Sequence, residues 1–328
     1  MRSQALQITD ILRAYHVVRR NLEPTPLRRY ESLSRMVGAD VFVKHDHVLP
    51  SATSWVRGAV ALAFELKKNG IQHVVSSGPF SFMHALATAC RMFSMKITLF
   101  VDSRLDPQRE GWLADQNAEV MEVEGGASNA AARFASDASA YFVDPFEEPL
   151  LICGMGTVYL ELFEAQPDVD VLFVPVGSGM LAAAAAIAVR ALSPRTTIIG
   201  VCPQGEEAVY RSWRMKMPRK IPAESRVEWL NYDHVKPVPF SYYAEGLQDF
   251  VQLPDAAFFK AAAVMLHHTR MVVDPASAGV LAAACARRDV LQGRSVALLM
   301  PTSNMALSTL MEITLKEEVT TGDLSVQG

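Results

Sequence analysis

Residues 41–66, VFVKHDHVLPSATSWVRGAVALAFEL, change character twice. A β-branched run ends at Lys44, a polar turn closes on Pro50, and a Ser/Thr-led apolar helix comes next with Arg57-Gly58-Ala59 inside it. A strand that hands over to a capped helix is half of a crossover unit, and this one sets the rhythm for the rest of the chain.

Outward from there the alternation continues. HVVSS reads as a strand, SFMHALATACRMFS as a helix and KITLFV as a strand. After YFVDPFEEPLL a second series begins: a helix from Gly156 to about Glu164, the strand VDVLFVPV, the Gly-led helix GMLAAAAAIAVRAL and the strand TTIIGVC. It ends with the helix DAAFFKAAAVMLHHTR, the strand MVVD, the helix SAGVLAAACARRDVL and the strand SVALLMP. Strands alternating with helices predict an α/β fold with parallel sheets flanked by helices. Two such series predict two lobes: a small domain at 46–149, and a large domain made of 1–45 plus 150–328. Residues 204–246, rich in Pro, Trp, Arg and Lys with poor periodicity, predict an irregular excursion over the surface or across a subunit contact.

Composition narrows the function. A chain of 328 residues, half of them apolar, is long enough for two cores, and a net charge of -4 argues against nucleic acid or an anionic membrane as partner. No apolar run is long enough to cross a bilayer, and the N-terminus does not read as a signal peptide, so a cytoplasmic protein is expected. Cys90, Cys153, Cys202 and Cys285 are far apart, three of them in apolar segments, which predicts reduced core thiols. No His/Cys cluster proposes a metal.

In a parallel sheet, ligands gather where strands hand over to helices, because helix N-termini present unpaired N–H groups and positive partial charge. Four such junctions carry Gly, Ser or Thr: LPSATSW, SSGPFS, PVGSGM and MPTSNM, and all four are expected to face one cleft. In PVGSGM, Gly177, Ser178 and Gly179 with Met180 can close around an anion; the bland alternative is close strand-to-helix packing.

These loops, in order, resemble the fold-type II family of pyridoxal-phosphate (PLP) enzymes, the tryptophan synthase beta-like group of threonine and serine dehydratases, serine racemases and cysteine synthases. TPLRRYESLSRMVGADVFVKHD is similar to the family's opening segment, VDPFEEPLLICGMGTVYLEL to its return from small lobe to large, DVLFVPVGSGMLAA to its phosphate-cradling loop, VDPASAGVLAAA to its late helix start and LLMPTSNMALSTL to the cysteine-synthase form of its cofactor-nitrogen loop. The likeness runs from about residue 22 to about 312. It implies a homodimer and a small-molecule ligand, with carboxylate contacts from Thr53, Ser76, Ser77 and Gly78, phosphate contacts from Gly177, Ser178, Gly179 and Met180, and ring contacts at positions 55, 80 and 302, here Trp55, Phe80 and Thr302.

The departures are equally specific. The family's lysine, which forms an imine with PLP and moves the proton at the substrate α-carbon, falls on Trp55. An indole nitrogen offers only an N–H. The family's asparagine after Ser76-Ser77-Gly78 is Pro79, followed by Phe80 and Phe82, so rings line two walls. Covalent PLP is therefore not expected; the cofactor is either none or PLP held non-covalently.

Three functions compete. One is a dehydratase-like protein without the lysine, binding an anionic amino-acid-like or phosphorylated small molecule, with lysine-independent catalysis if any. Another is a dead pseudoenzyme serving as regulatory or scaffold subunit of a partner enzyme. The third is an active PLP lyase with a displaced lysine, such as Lys44. Trp55 itself reads as a stacking wall or as filler of a vacated pocket, and Ser76, Ser77 and Gly78 as an anion site or as ordinary helix-start residues. His45 and His47 read as solvated loop histidines, His84 as a satisfied core histidine, and no catalytic residue is assigned.

Overall fold

The computed structural model describes residues 5–316; the parts of the expected domains at 1–4 and 317–328 lie outside the described residues. The chain divides into two compact units, Met1–Glu23 with Leu49–Thr157, and Pro24–Val48 with Val158–Gly328.

In the first unit a parallel four-stranded sheet has the order β5-β4-β3-β6, built from β3 (His73–Ser77), β4 (Lys96–Val101), β5 (Glu119–Glu122) and β6 (Tyr141–Val143). Its helices are α1 (Ile8–Asn21), α3 (Trp55–Lys68), α4 (Phe80–Met92), α5 (Pro107–Ala114), α6 (Ala127–Asp137) and α7 (Pro149–Met155). One face of the sheet is closed by Ala127, Ala131 and Ala135 of α6 against Val75 and Phe100.

The sequence places 1–45 as one piece of the large domain, whereas residues 5–23 fall in this first unit. The physical reason is α1, whose buried Ile11 seats against Gly156; a Cβ there would lie 2.6 Å from the isoleucine Cδ1.

The second unit holds a six-stranded sheet of order β1-β2-β10-β7-β8-β9: β1 (Leu27–Arg29), β2 (Asp40–His45), β7 (Val171–Pro175), β8 (Thr197–Pro203), β9 (Asp249–Leu253) and β10 (Ser295–Met300). Only β1, a three-residue edge strand, runs antiparallel. Strand β7 is buried along its whole length, as strands covered on both faces require. The helices are α2 (Glu31–Val37), α8 (Thr157–Ala165, starting at the last residue of the first unit), α9 (Met180–Leu192), α10 (Glu207–Met215), α11 (Pro237–Gly246), α12 (Asp255–Thr269), α13 (Pro275–Ala286), α14 (Arg288–Leu291) and α15 (Leu307–Lys316). Phe173, Val201, Phe258, Leu281 and Leu298 are among the side chains of its core.

Two expectations need correction. Residues 204–246 are not irregular throughout, because α10 and α11 lie within them; the two helices are joined by a stretch with a 3-10 turn at Glu228–Leu230 and a single bridge pairing Lys220 with His234. MVVD forms no strand; Asp274 instead caps α13, accepting the Ser277 N–H at 2.7 Å. Among the described residues no helix is long and apolar enough to cross a membrane.

Candidate functional site

In the first unit the turn ahead of α3 is wound tightly. Ser51 and Ala52 both take left-handed backbone angles, φ 64 and 52, before Trp55 opens the helix, and the buried Thr53 hydroxyl accepts the Trp55 N–H at 3.4 Å. Thr53 thus serves the start of the helix. The half-buried Trp55 ring meets the buried Phe82 edge to face, 5.2 Å between centroids. This geometry supplies an apolar wall.

The neighbouring start of α4 spends its polar groups locally. Ser76 donates its hydroxyl to the Val143 carbonyl at 2.6 Å. Ser77 is buried at the end of β3, and Gly78 is held close: a Cβ would meet Pro145 at 3.0 Å and Phe82 at 3.3 Å. Phe80 belongs to a stack with His84 and Trp112, whose rings lie 5.8 Å apart and nearly parallel, under the Arg109 guanidinium 5.1 Å from the Phe80 centroid. His84 differs from the satisfied core histidine expected from sequence: it is buried, but its Nδ1 has no hydrogen-bond partner among the described residues, and burial lowers its pKa to about 4.

Arg57-Gly58-Ala59 has a packing explanation. A Cβ on Gly58 would lie 2.7 Å from the Leu151 carbonyl oxygen, and one on Gly154 2.5 Å from the Arg57 carbonyl oxygen, so α3 and α7 cross backbone to backbone. Arg57, fully buried, donates to the Thr157 hydroxyl at 3.2 Å.

In the second unit the 176–179 turn leads into α9, whose first N–H groups carry the positive end of the helix dipole. Gly179 has φ +85 and Met180 is the first residue of the helix. The chain itself presses on both glycines: a Cβ on Gly177 would run into the Trp229 carbonyl, and one on Gly179 into the Tyr243 ring. Ser178 is hydrogen-bonded to Tyr232. Behind them lies a buried carboxyl, Glu206, accepting the Tyr232 N–H at 2.8 Å; its other oxygen, like the Tyr243 hydroxyl, has no partner among the described residues, and burial raises its pKa to about 8.

Thr302, beyond the end of β10, is nearly buried. Its hydroxyl accepts the Asn304 N–H at 3.1 Å, while Ser277 donates to its carbonyl at 2.9 Å and accepts its N–H at 3.0 Å. Sequence alone gives Asp274 and Glu206 no role. Both carry buried carboxyls with an unmatched oxygen, which no local pattern announces.

The histidines of the opening stretch are not solvated. His45 ends β2, bonded to the Tyr30 hydroxyl at 3.0 Å, and packs on His47 at 5.2 Å; both are buried, and burial lowers them to about 3 and about 4. Lys44 is 1 % exposed, and its Nζ donates to Glu161 at 2.5 Å and to the Thr25 carbonyl at 2.6 Å. All four cysteines are buried free thiols, and no group of three or more metal-binding side chains occurs among the described residues.

The cofactor implied by the resemblance needs an amine, a phosphate cradle and a ring contact. Trp55 supplies no amine, and Lys44 is committed to a buried ion pair. The 176–179 turn and Thr302 offer an anion and a heteroatom their partners, but neither Trp55 nor the ion-paired Lys44 fits the covalent attachment point of the cofactor.

The family described as "Pyridoxal-phosphate dependent enzyme" matches residues 18–302. The chain is 24% identical to L-threonine ammonia-lyase of Thermotoga maritima over 97% of its own length and 80% of that protein's. It is 22% identical to beta-hydroxyaspartate dehydratase of Paracoccus denitrificans, covering 92% of this chain and 97% of the other. The structure of maize serine racemase superposes with a TM-score of 0.88 at 20% identity, over 95% of this chain and 98% of that one. With matching sequence across most of its length, and with a fold shared with serine racemase, the chain belongs to the pyridoxal-phosphate dependent enzyme family.

Proposed function

We propose that the chain is a threonine/serine dehydratase-like protein that has given up the covalent lysine link and binds an anionic small molecule, amino-acid-like or phosphorylated, holding PLP non-covalently if at all. The observation that carries this reading is Trp55 at the first position of α3, its ring packed on Phe82; the resemblance assigns the family's lysine to this position. Lys44, tied to Glu161, counts against a displaced lysine.

The anion is placed at the 176–179 turn. The start of α9 attracts negative charge, and the unmatched Tyr243 hydroxyl and Glu206 oxygen sit behind the turn. Relatives named for ammonia release from threonine and for dehydration of hydroxyaspartate support a ligand with a carboxylate. The protein works as a homodimer in the cytoplasm.

A second reading, a regulatory or scaffold subunit of a partner enzyme, is favoured by the Ser76 hydroxyl and the glycines at 78, 177 and 179, all of which are engaged by the chain itself.

Thermal unfolding with added phosphate, pyridoxine 5′-phosphate and hydroxyamino acids separates the two. A ligand that prefers the folded state adds RT ln(1 + [L]/Kd) to the stability and so raises the midpoint. A rise with any of the three supports the binding reading. No rise at millimolar concentration supports the scaffold.

A further inference from the structure

The opening stretch holds two histidines that the proposed function does not use. His45 ends β2, and His47 stands two residues on in the 3-10 turn Asp46–Val48. Side chains of an extended chain alternate between its two sides, so the imidazoles meet on one side while Asp46 turns away, its carboxylate accepting the Thr25 hydroxyl at 2.7 Å. His45 is fully buried and His47 5 % exposed. The Tyr30 hydroxyl matches His45 Nε2 at 3.0 Å, but His45 Nδ1 and both nitrogens of His47 have no hydrogen-bond partner among the described residues. The Met300 carbonyl, on the neighbouring strand β10, lies near His47 without hydrogen-bond geometry. Three orphaned ring nitrogens in one place carry a free-energy cost that a bound ligand offsets.

The donor set decides the ligand. A neutral imidazole offers one nitrogen lone pair, which suits zinc, copper or nickel and not the oxygen-seeking magnesium or calcium. Two imidazoles on one tetrahedral ion, each nitrogen about 2.1 Å from the metal, have ring centres about 5 Å apart. The rings of His45 and His47 lie 5.2 Å apart, centroid to centroid, inclined at 68°. Metal on His45 Nδ1 puts the ring proton on Nε2, where the Tyr30 oxygen accepts it; histidine ligands ordinarily make such an outer hydrogen bond. The charges acting on the pair are Arg28 and Lys44 at His45 and Asp46 at His47, and Lys44 is neutralised by Glu161.

We propose that His45 and His47 together bind one transition-metal ion of the zinc, copper or nickel class, with water or a small ligand in the remaining positions. The ion ties the end of β2 to the turn that follows it. The site uses none of the residues on which the proposed function rests, so the two stand or fall independently.

Equilibrium dialysis of the metal-depleted protein against Zn²⁺, read by elemental analysis at pH 7.5 and 5.5, is the test. One ion per chain is expected, with an affinity that changes by less than about twofold between the two pH values, because burial already keeps both rings neutral, their values lying at about 3 and about 4. Two exposed histidines titrating near 6.5 would lose about a hundredfold over the same interval, and a loss of that size overturns the site. Absence of bound zinc overturns it too. His45→Phe and His47→Phe should each weaken binding by at least about tenfold, and Tyr30→Phe by about tenfold with the stoichiometry kept. Undiminished binding in both histidine variants puts the ion elsewhere and overturns the proposal. Should those variants fail to fold, Tyr30→Phe decides alone, and an unchanged affinity in it is equally fatal.

Discussion

The starts of α3 and α4 in the first unit and the helix starts of the second have gone in opposite directions. In the first, Trp55, Phe80 and Phe82 supply rings, and the small polar groups Thr53 and Ser76 are spent on their own backbone. In the second, Glu206, Tyr243 and Asp274 each keep a buried polar atom unmatched, close to the glycine turn or to Thr302. Unmatched buried polar groups cost free energy and are unusual without a use. The contrast teaches that the helix starts of the first unit present mainly rings, His84 apart, while unmatched buried oxygens lie beside those of the second.

Substitutions can break or sharpen this contrast. The largest effect is expected from Lys44→Met, which leaves Glu161 buried without its cation and should cost about 3–5 kcal/mol by urea unfolding. A loss under 1 kcal/mol would mean that Lys44 is not held as described and is available for chemistry. Gly154→Ala in the first unit should cost about 3 kcal/mol, the upper end of overpacking penalties, since the new methyl meets backbone on α3 that cannot rotate away. A neutral result would reopen Arg57-Gly58-Ala59 to a role beyond helix crossing.

The buried histidine pair gives a pH test. Both folded values, about 3 and about 4, lie below the ordinary 6.5, so the unfolded chain binds more protons in between. Their contribution is complete above pH 6.5 and is lost as pH falls toward those values, about 1.4 kcal/mol per unit for each ring. Moving from pH 7.5 to 5.5 should therefore favour the His45→Phe, His47→Phe double variant relative to wild type by about 3 kcal/mol. This difference cancels the opposite slopes of Glu206 and Asp274, whose raised values favour the folded state at low pH. Parallel curves for the two proteins would show that the pair is hydrated.

Trp55→Ala should cost least, about 1–2 kcal/mol, because the ring is half-buried and loses one edge-to-face partner. Trp55→Lys is expected to release no ammonia from threonine or serine, with Pro79, Phe80 and Phe82 unchanged. Ammonia release by that variant would show that the site was only one residue from working.

Much of the fold was legible in the chain. Strands such as KITLFV and VDVLFVPV announce themselves because both faces are buried and their residues are β-branched, and the glycine turn ahead of α9 marks its own junction. The role of those glycines was not legible: the bodies that press on Gly177 and Gly179 are Trp229 and Tyr243, more than fifty residues away in the chain. The same distance hides the site chemistry. His45 and His47 look like polar loop residues until the fold buries them, Lys44 gives no sign of Glu161, and the unmatched oxygens of Glu206 and Asp274 exist only because tertiary packing encloses them. Short polar segments within 204–246 masked α10 and α11, since aromatic, basic and proline residues break the apolar period that marks a helix.

Borohydride reduction of the protein purified with saturating PLP, followed by mass spectrometry of the intact chain and its peptides, tests the central claim directly. The account predicts an unmodified chain mass and no pyridoxyl group on any lysine peptide after exchange into buffer. A pyridoxyl adduct at a single lysine in stoichiometric yield would contradict it.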